Sequence, residues 1–502
     1  MNSPSRLGRG PSGTRAAARR QTLRSAAVAV AFVVLLVVAG SFVVENDVIP
    51  SVTVKSVTPI QTFLNHIKHV VVVVMENHAF DTMYGSYCPT RGPYCPMTVA
   101  GIPSGLCVPS NPYNDSKSCI RPYPFSEHND SLFYPLPHDH NSSIASYDNG
   151  SMDGFYWAEH SQLAPFGYYD AKTTPLMWDF AEEYGLADNY FGGTLSYSLP
   201  THWSYVSGGN GPAIAENFSM ANPPGINETA GSRVRSIYLQ EAQNVTSVED
   251  LLSRTSTSWD YYEYALGNWT AASNVSQIGG AGTTNAFNYW NPQAAKEESY
   301  GPNLTTHFVP NQDFFADAAN GSLPALSWVI PYFNFSEHPP ENVTSGDEWL
   351  SMLIDSVEAS PDWNTTALFL TYDEYGGFYD NVVPPVVDGI QLGFRLPLVV
   401  ISPYTPAGVV VSSVIDPWSI LALFEAEGGL GCMAVVDCDA PSALGFFNFS
   451  MPPRPPMLFP NYDADTVYPL ALQPGNATWA PVPWQAPSFL LDGEGEGSGF
   501  VD

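Results

Sequence analysis

A chain of 502 residues with 44% hydrophobic and 13% aromatic content can bury one large core, or a core with a sizeable insertion, and is not a disordered polymer. Its formal net charge of -31 arises from 18 Lys and Arg against 49 Asp and Glu, with only 13% of residues charged, so bases are scarce rather than acids abundant. That balance argues against nucleic acid as a partner and suits an acidic medium, where part of the carboxylates are protonated.

Residues 1–25 form a basic leader in which Arg6, Arg9, Arg15, Arg19, Arg20 and Arg24 precede the first acidic residue. The run AAVAVAFVVLLVVAGSFVV, 26–44, has no charge and is long enough to cross a bilayer as a helix. Basic residues lie only on its N-terminal side, which predicts a single-pass anchor in the cell membrane with the bulk of the chain outside. Cleavage after Ala39, Gly40 and Ser41, giving a secreted product, is the alternative. Residues 45–66 read as a tether, 67–430 as the catalytic domain, and 431–502 as a cysteine loop followed by a proline-rich tail that runs over the surface or frays.

Within the domain, HVVVVVM (69–75) reads as a fully buried strand. TTPLMWDFAEEYG (173–185) reads as a helix with Pro175 in its first turn. Residues 206–305 are dominated by Asn, Ser, Gly and aromatics and carry no long apolar run, so they are expected to be an insertion or lid. LSWVI (326–330), ALFLTYD (367–373) and LPLVVIS (396–402) read as strands. SGDEWLSMLIDSVEAS (345–360) is a predicted helix opened by Ser345 and Glu348 at capping-box spacing. DPWSILALFEAEGG is another, capped by Asp416 with Pro417 at its first position. Alternation of strands and helices predicts a three-layer α/β/α sandwich around a mostly parallel central sheet.

Sixteen of the 30 asparagines sit in N-x-S/T sequons, several times the number that random placement gives, which points to surface glycosylation. Cys88, Cys95, Cys107, Cys119, Cys432 and Cys438 show no close C-x-x-C spacing, so disulfides are expected rather than a metal site, with connectivity left open.

Chemistry-bearing groups gather where strands end. In an open α/β sheet, side chains converge on a crevice just past the carboxyl ends of the strands. HVVVVVM stops abruptly at Glu76, Asn77 and His78, and ALFLTY stops at Asp373 and Glu374, followed by Gly376 and Gly377. Two strand ends carrying hard oxygen donors are what a divalent cation needs.

Seven segments, in order, carry a family resemblance: KHVVVVVMENHAFDTMYG, PHDHNSSIASYDNGSMDGF, YYDAKTTPLMWDFAEEYGLADNYFGG, SYSLPTHWSYVSG, LPALSWVIPYFNFSEHPPENVTSG, TYDEYGGFYDNVVPP and LGFRLPLVVISPYTPAGVV. Together they resemble the phosphoesterase family of bacterial non-haemolytic phospholipases C and a related acid phosphatase, within the alkaline-phosphatase superfamily. The resemblance covers most of 67–426 and is poor over 206–305. It implies an alkaline-phosphatase-like fold, with Ser198 in SYSLP as the nucleophile that attacks phosphorus. Glu76, Asn77, Asp373 and Glu374 would hold a divalent metal together with Ser198, and His138 and His338 would flank the transferred phosphoryl group. A serine hydroxyl needs such activation. His78 and His202 lie inside matching motifs at variable positions and are neighbours only.

The chain departs from the family pattern at Asn381 and Ser412, where histidine is common, and at Thr201, where asparagine is. Two missing imidazoles favour a single metal. Scarce bases favour a singly charged diester, such as a phospholipid headgroup linkage, over a monoester. The functional expectation is therefore an extracytoplasmic, metal-dependent, phospholipase C-like phosphoesterase. The alternatives are an acid phosphatase at the same site, a non-catalytic surface glycoprotein, and, least favoured, sulfate-ester hydrolysis.

Overall fold

In the computed structural model, which describes residues 58–459 apart from 88–98, 111–118, 126–134, 161, 210, 212–239, 264–289, 291, 293–306 and 332–334, the valine run lies at the middle of the sheet. Strand β1, His69–Met75, is buried from Val70 to Met75. Val71, Val73 and Met75 enter one hydrophobic cluster and Val70, Val72 and Val74 the other, as the two-residue period of a strand requires. Each fully buried valine contributes about 1.5 to 3 kcal/mol relative to exposure, so this strand anchors both cores.

The remaining strands of the sheet are β2 Gly185–Ala187, β3 Trp259–Glu263, β4 Phe308–Pro310, β5 Leu326–Val329, β6 Thr366–Tyr372, β7 Leu398–Ile401 and β8 Val409–Val411. Their order is β8-β2-β7-β6-β1-β5-β3-β4. β7 runs antiparallel to β6 and β2, while the other neighbours pair in parallel. Five helices bear on the argument: α1 Pro59–His66, α2 Pro175–Glu183, α3 Ser198–Trp203, α4 Val343–Glu358 and α5 Pro417–Gly428. α2 and α4 pack on one face, through residues such as Phe180 and Leu350. The other face is covered by α1, α3 and α5, through Phe63, Trp203 and Phe424. The expected α/β/α layering and mostly parallel sheet are therefore present.

Several local expectations need correction. Residues 59–66 are helix α1, with Thr58 as N-cap and Phe63 buried, rather than part of a tether. WDYYE at 259–263, inside the stretch expected to be an insertion or lid without a long apolar run, is β3 of the central sheet: Trp259 and Tyr261 face one core and Tyr262 the other. Helix α4 opens at Asn342, whose Oδ1 accepts from the Thr344 N–H at 2.7 Å, rather than at Ser345. The C-terminal stretch remains packed as far as Phe459, whose ring meets Phe180 edge-on at 4.7 Å. Asp416 does cap α5, accepting from the Ser419 N–H at 2.9 Å. Cys107 pairs with Cys119 and Cys432 with Cys438, while Cys88 and Cys95 lie outside the described residues.

The placement as a single-pass protein of the cell membrane is also corrected. Among the described residues no helix is long and apolar enough to cross a membrane. The run 26–44 on which that placement rested lies outside the described residues.

An acid pair closes the region after α5. Asp437 accepts from the Met433 and Ala434 N–H groups at 2.6 and 2.7 Å, and burial, followed by the hydrogen bond that the protonated Glu425 carboxyl donates to Asp437, pushes Glu425 up to about 9. A carboxyl group raised on folding contributes stability that is complete below its unfolded value and is lost as pH rises through the folded one. The thermal midpoint is therefore expected to fall between about pH 5 and pH 9, and Glu425→Gln to flatten that slope. Melting curves across pH check this, and identical slopes in both proteins would remove the assignment.

Candidate functional site

The parallel register places Met75 opposite Tyr372, so Glu76 and Asp373 leave the sheet side by side. The Asp373 N–H donates to the Met75 carbonyl at 2.9 Å, and the Glu76 N–H donates to the Ser336 carbonyl at 2.9 Å, which brings the loop after β5 alongside. Asn77 takes a left-handed φ of 64°, turning its N–H onto Asp373 Oδ1 at 2.9 Å. Gly376 is needed against this turn: its φ is +63°, and a Cβ there would lie 2.3 Å from the Asn77 carbonyl oxygen. Sequence thus dictates a tight double turn that aims two strand ends at one point.

Helix α3 brings in the third element. Ser198 Oγ donates to Glu76 Oε2 at 3.1 Å. One helical turn later, on the same face, His202 Nε2 lies 2.9 Å from Glu76 Oε1 and 4.0 Å from Asp373 Oδ2. Two further histidines approach from loops. His138 Nδ1 contacts the Leu136 carbonyl at 2.5 Å and His338 Nδ1 the Pro339 carbonyl at 2.7 Å. Their rings are 6.0 Å apart, and His138 Nε2 is 3.9 Å from Glu374 Oε1. Beside His338, Glu337 Oε2 accepts from the Tyr372 hydroxyl at 2.7 Å. All seven residues singled out from sequence are therefore linked into one constellation, although Glu76 and Asp373 are separated by nearly three hundred positions.

The electrostatics are those of a buried acid cluster. Glu76 and Asp373 are fully buried, with Glu374 nearly so. Burial first, then the Asp373 and Glu374 carboxylates, raise the Glu76 carboxyl well above its ordinary range. Burial lowers His202 to about 4, and His78, whose Nδ1 meets the Glu76 carbonyl, also to about 4. Among the described residues, Asp373 Oδ2 and both polar atoms of the Asn77 side chain have no hydrogen-bond partner. Glu76, His202 and Asp373 offer donor atoms within 4.8 Å of one another. Buried carboxylates without counter-charge are costly, and a divalent cation fits this donor set.

The nearby guanidinium is committed elsewhere. Arg395, fully buried, donates from Nε to Asp380 Oδ1 and Oδ2, each at 3.1 Å, and from NH2 to Asp81 Oδ1 at 3.0 Å. Its NH1 donates to the Ala100 and Asp188 carbonyls at 2.6 and 3.0 Å. Asn381 completes the cluster: its Nδ2 and N–H both donate to Asp81 Oδ2, at 2.6 and 2.9 Å. The asparagine that departs from the family pattern thus braces the chain just after Asn77.

Two contributors were missed from sequence. His202 had been left as a neighbour, although its four-residue spacing from Ser198 is the signal that places both on one helical face. Arg395, just before LPLVVIS, carries no role in the sequence reading, because nothing local reveals which carboxylates it meets.

A sequence model described as the Phosphoesterase family matches residues 67–431. The chain is 26% identical over 487 residues to "Phospholipase C B" of Mycobacterium tuberculosis, spanning 86% of this chain and 88% of that protein. It is 24% identical to "Non-hemolytic phospholipase C" of Burkholderia pseudomallei, spanning 72% of this chain and 55% of that protein. Among solved structures it is similar to the phosphonate monoester hydrolase of Agrobacterium radiobacter, with 10% identity, a TM-score of 0.34, and 75% and 78% of the two chains covered.

Proposed function

The chain belongs to the phosphoesterase family and is a hydrolase of phosphate esters, and from that premise we propose that it cleaves phospholipid-type phosphate diesters through Ser198 at a site holding one divalent cation. The observation that carries this reading is the Ser198 Oγ contact with Glu76 beside the unpartnered Asp373 Oδ2. Glu76, Asn77, Asp373 and Glu374 are the proposed ligands together with Ser198. When bound, the cation lowers the pKa of the serine hydroxyl and offsets charge on the phosphoryl oxygens. Glu76 Oε2 orients the hydroxyl toward phosphorus. As the Oγ–P bond forms, the hydroxyl proton passes to Glu76 Oε2, and as the bond to the leaving oxygen breaks, His138 or His338 donates a proton to that oxygen. Water then releases phosphate ester from the serine.

The diester preference draws support from the names of the relatives and from the scarcity of cations, because a monoester brings an additional negative charge to the site. Acid quenching during turnover, followed by peptide mapping, is expected to find phosphorus on Ser198. A label on another residue, or none under rapid quench, would sink the serine mechanism. Chelation should abolish release of nitrophenol from bis-nitrophenyl phosphate, with added divalent metal restoring it. Faster turnover of the mononitrophenyl ester would favour the phosphatase reading instead.

A further inference from the structure

We propose that His202 is a nitrogen ligand of that cation, so that the site takes a borderline cation of the Zn²⁺ class in preference to Mg²⁺ or Ca²⁺; the inference rests on the metal-dependent reading above. The imidazole comes from the same short helix as Ser198 and is 1% exposed. Its Nε2 lies 2.9 Å from Glu76 Oε1 and 4.0 Å from Asp373 Oδ2. Donors at about 2.0 to 2.2 Å from one cation are separated from each other by about 3 to 4 Å. The observed spacings fit that range.

A simpler role, in which the imidazole only donates to Glu76, satisfies one carboxylate oxygen. It leaves Asp373 Oδ2, fully buried, with no partner among the described residues. A cation among the three satisfies all of them together. The donor chemistry then selects the ion. Ca²⁺ takes six to eight oxygens, and Mg²⁺ retains several waters. A buried cluster containing an imidazole matches instead the nitrogen and carboxylate set favoured by Zn²⁺.

The test uses the full chain, stripped of metal and titrated calorimetrically with Zn²⁺ and with Mg²⁺. The wild type is expected to prefer Zn²⁺ by at least about 100-fold, and His202→Gln to lose about 10- to 100-fold in Zn²⁺ affinity while Mg²⁺ binding shifts by less than about threefold. Zinc-edge X-ray absorption tests the ligand without altering His202: in protein in which His138 and His338 are replaced by glutamine, the imidazole scattering shell should persist. An oxygen-only shell in that double variant, or unchanged Zn²⁺ affinity in His202→Gln, overturns the nitrogen ligand while leaving a metal site intact. Failure of both cations to bind overturns the metal reading as well.

Discussion

Ser198→Ala is expected to lower kcat for bis-nitrophenyl phosphate by at least about a thousandfold, or about 4 kcal/mol of transition-state stabilisation. In the mechanism proposed above the hydroxyl forms the covalent bond to phosphorus, and no other serine or threonine hydroxyl is hydrogen-bonded to Glu76 among the described residues. Its removal takes away one hydrogen bond and a single oxygen, so the fold should survive. Residual activity would come from electrostatic stabilisation by the rest of the site. KM should change much less than kcat, because the rest of the site remains in place. Steady-state kinetics and a thermal melt on the same preparation check this. A loss below tenfold with an unchanged melting temperature would mean that water, rather than Ser198, attacks phosphorus.

The second large effect is on stability. Arg395→Met is expected to destabilise the protein by about 3 to 5 kcal/mol, because it leaves buried carboxylates without their cation. Asp81 and Asp380 are both buried, and burial followed by repulsion from Asp380 already pushes Asp81 up to about 7 with the guanidinium in place. Lysine is no substitute, since the guanidinium spreads donors over two carboxylates and two backbone carbonyls in a geometry that a point charge lacks. Adding Asp81→Asn and Asp380→Asn to the methionine variant should recover part of the loss by removing the orphaned charge. Urea unfolding of the single and triple variants measures both quantities. A single variant within about 1 kcal/mol of wild type would show that the cluster is not held as a buried ion network.

Much of the architecture could be read from local patterns because local physics sets them. The valine run is buried on both faces, so it needs no partner to declare itself a central strand. Asp416 and Pro417 mark the start of α5 because capping and a fixed φ act within one turn. Trp259–Glu263 was hidden because its burial depends on pairing with β5 and on aromatic packing rather than on an aliphatic run: Trp259 stacks on His307 at 4.1 Å and Tyr261 on Trp328 at 6.0 Å. The reversed direction of β7 was likewise unreadable, since strand polarity is set by connections and not by composition. At the site, the strand-end acids were visible as abrupt polar stops. The role of Asn381 was not, because its partner Asp81 is 300 positions away.

The Arg395 hub has a consequence for motion. One side chain ties together the turn after β1, the segment around Ala100, the end of β2 and the loop after β6. These pieces cannot loosen one at a time without stranding a charge, so they should open as a single cooperative unit. Amide protons such as those of Asn381 and Asp81, which donate into the cluster, are then expected to exchange with solvent at a common rate.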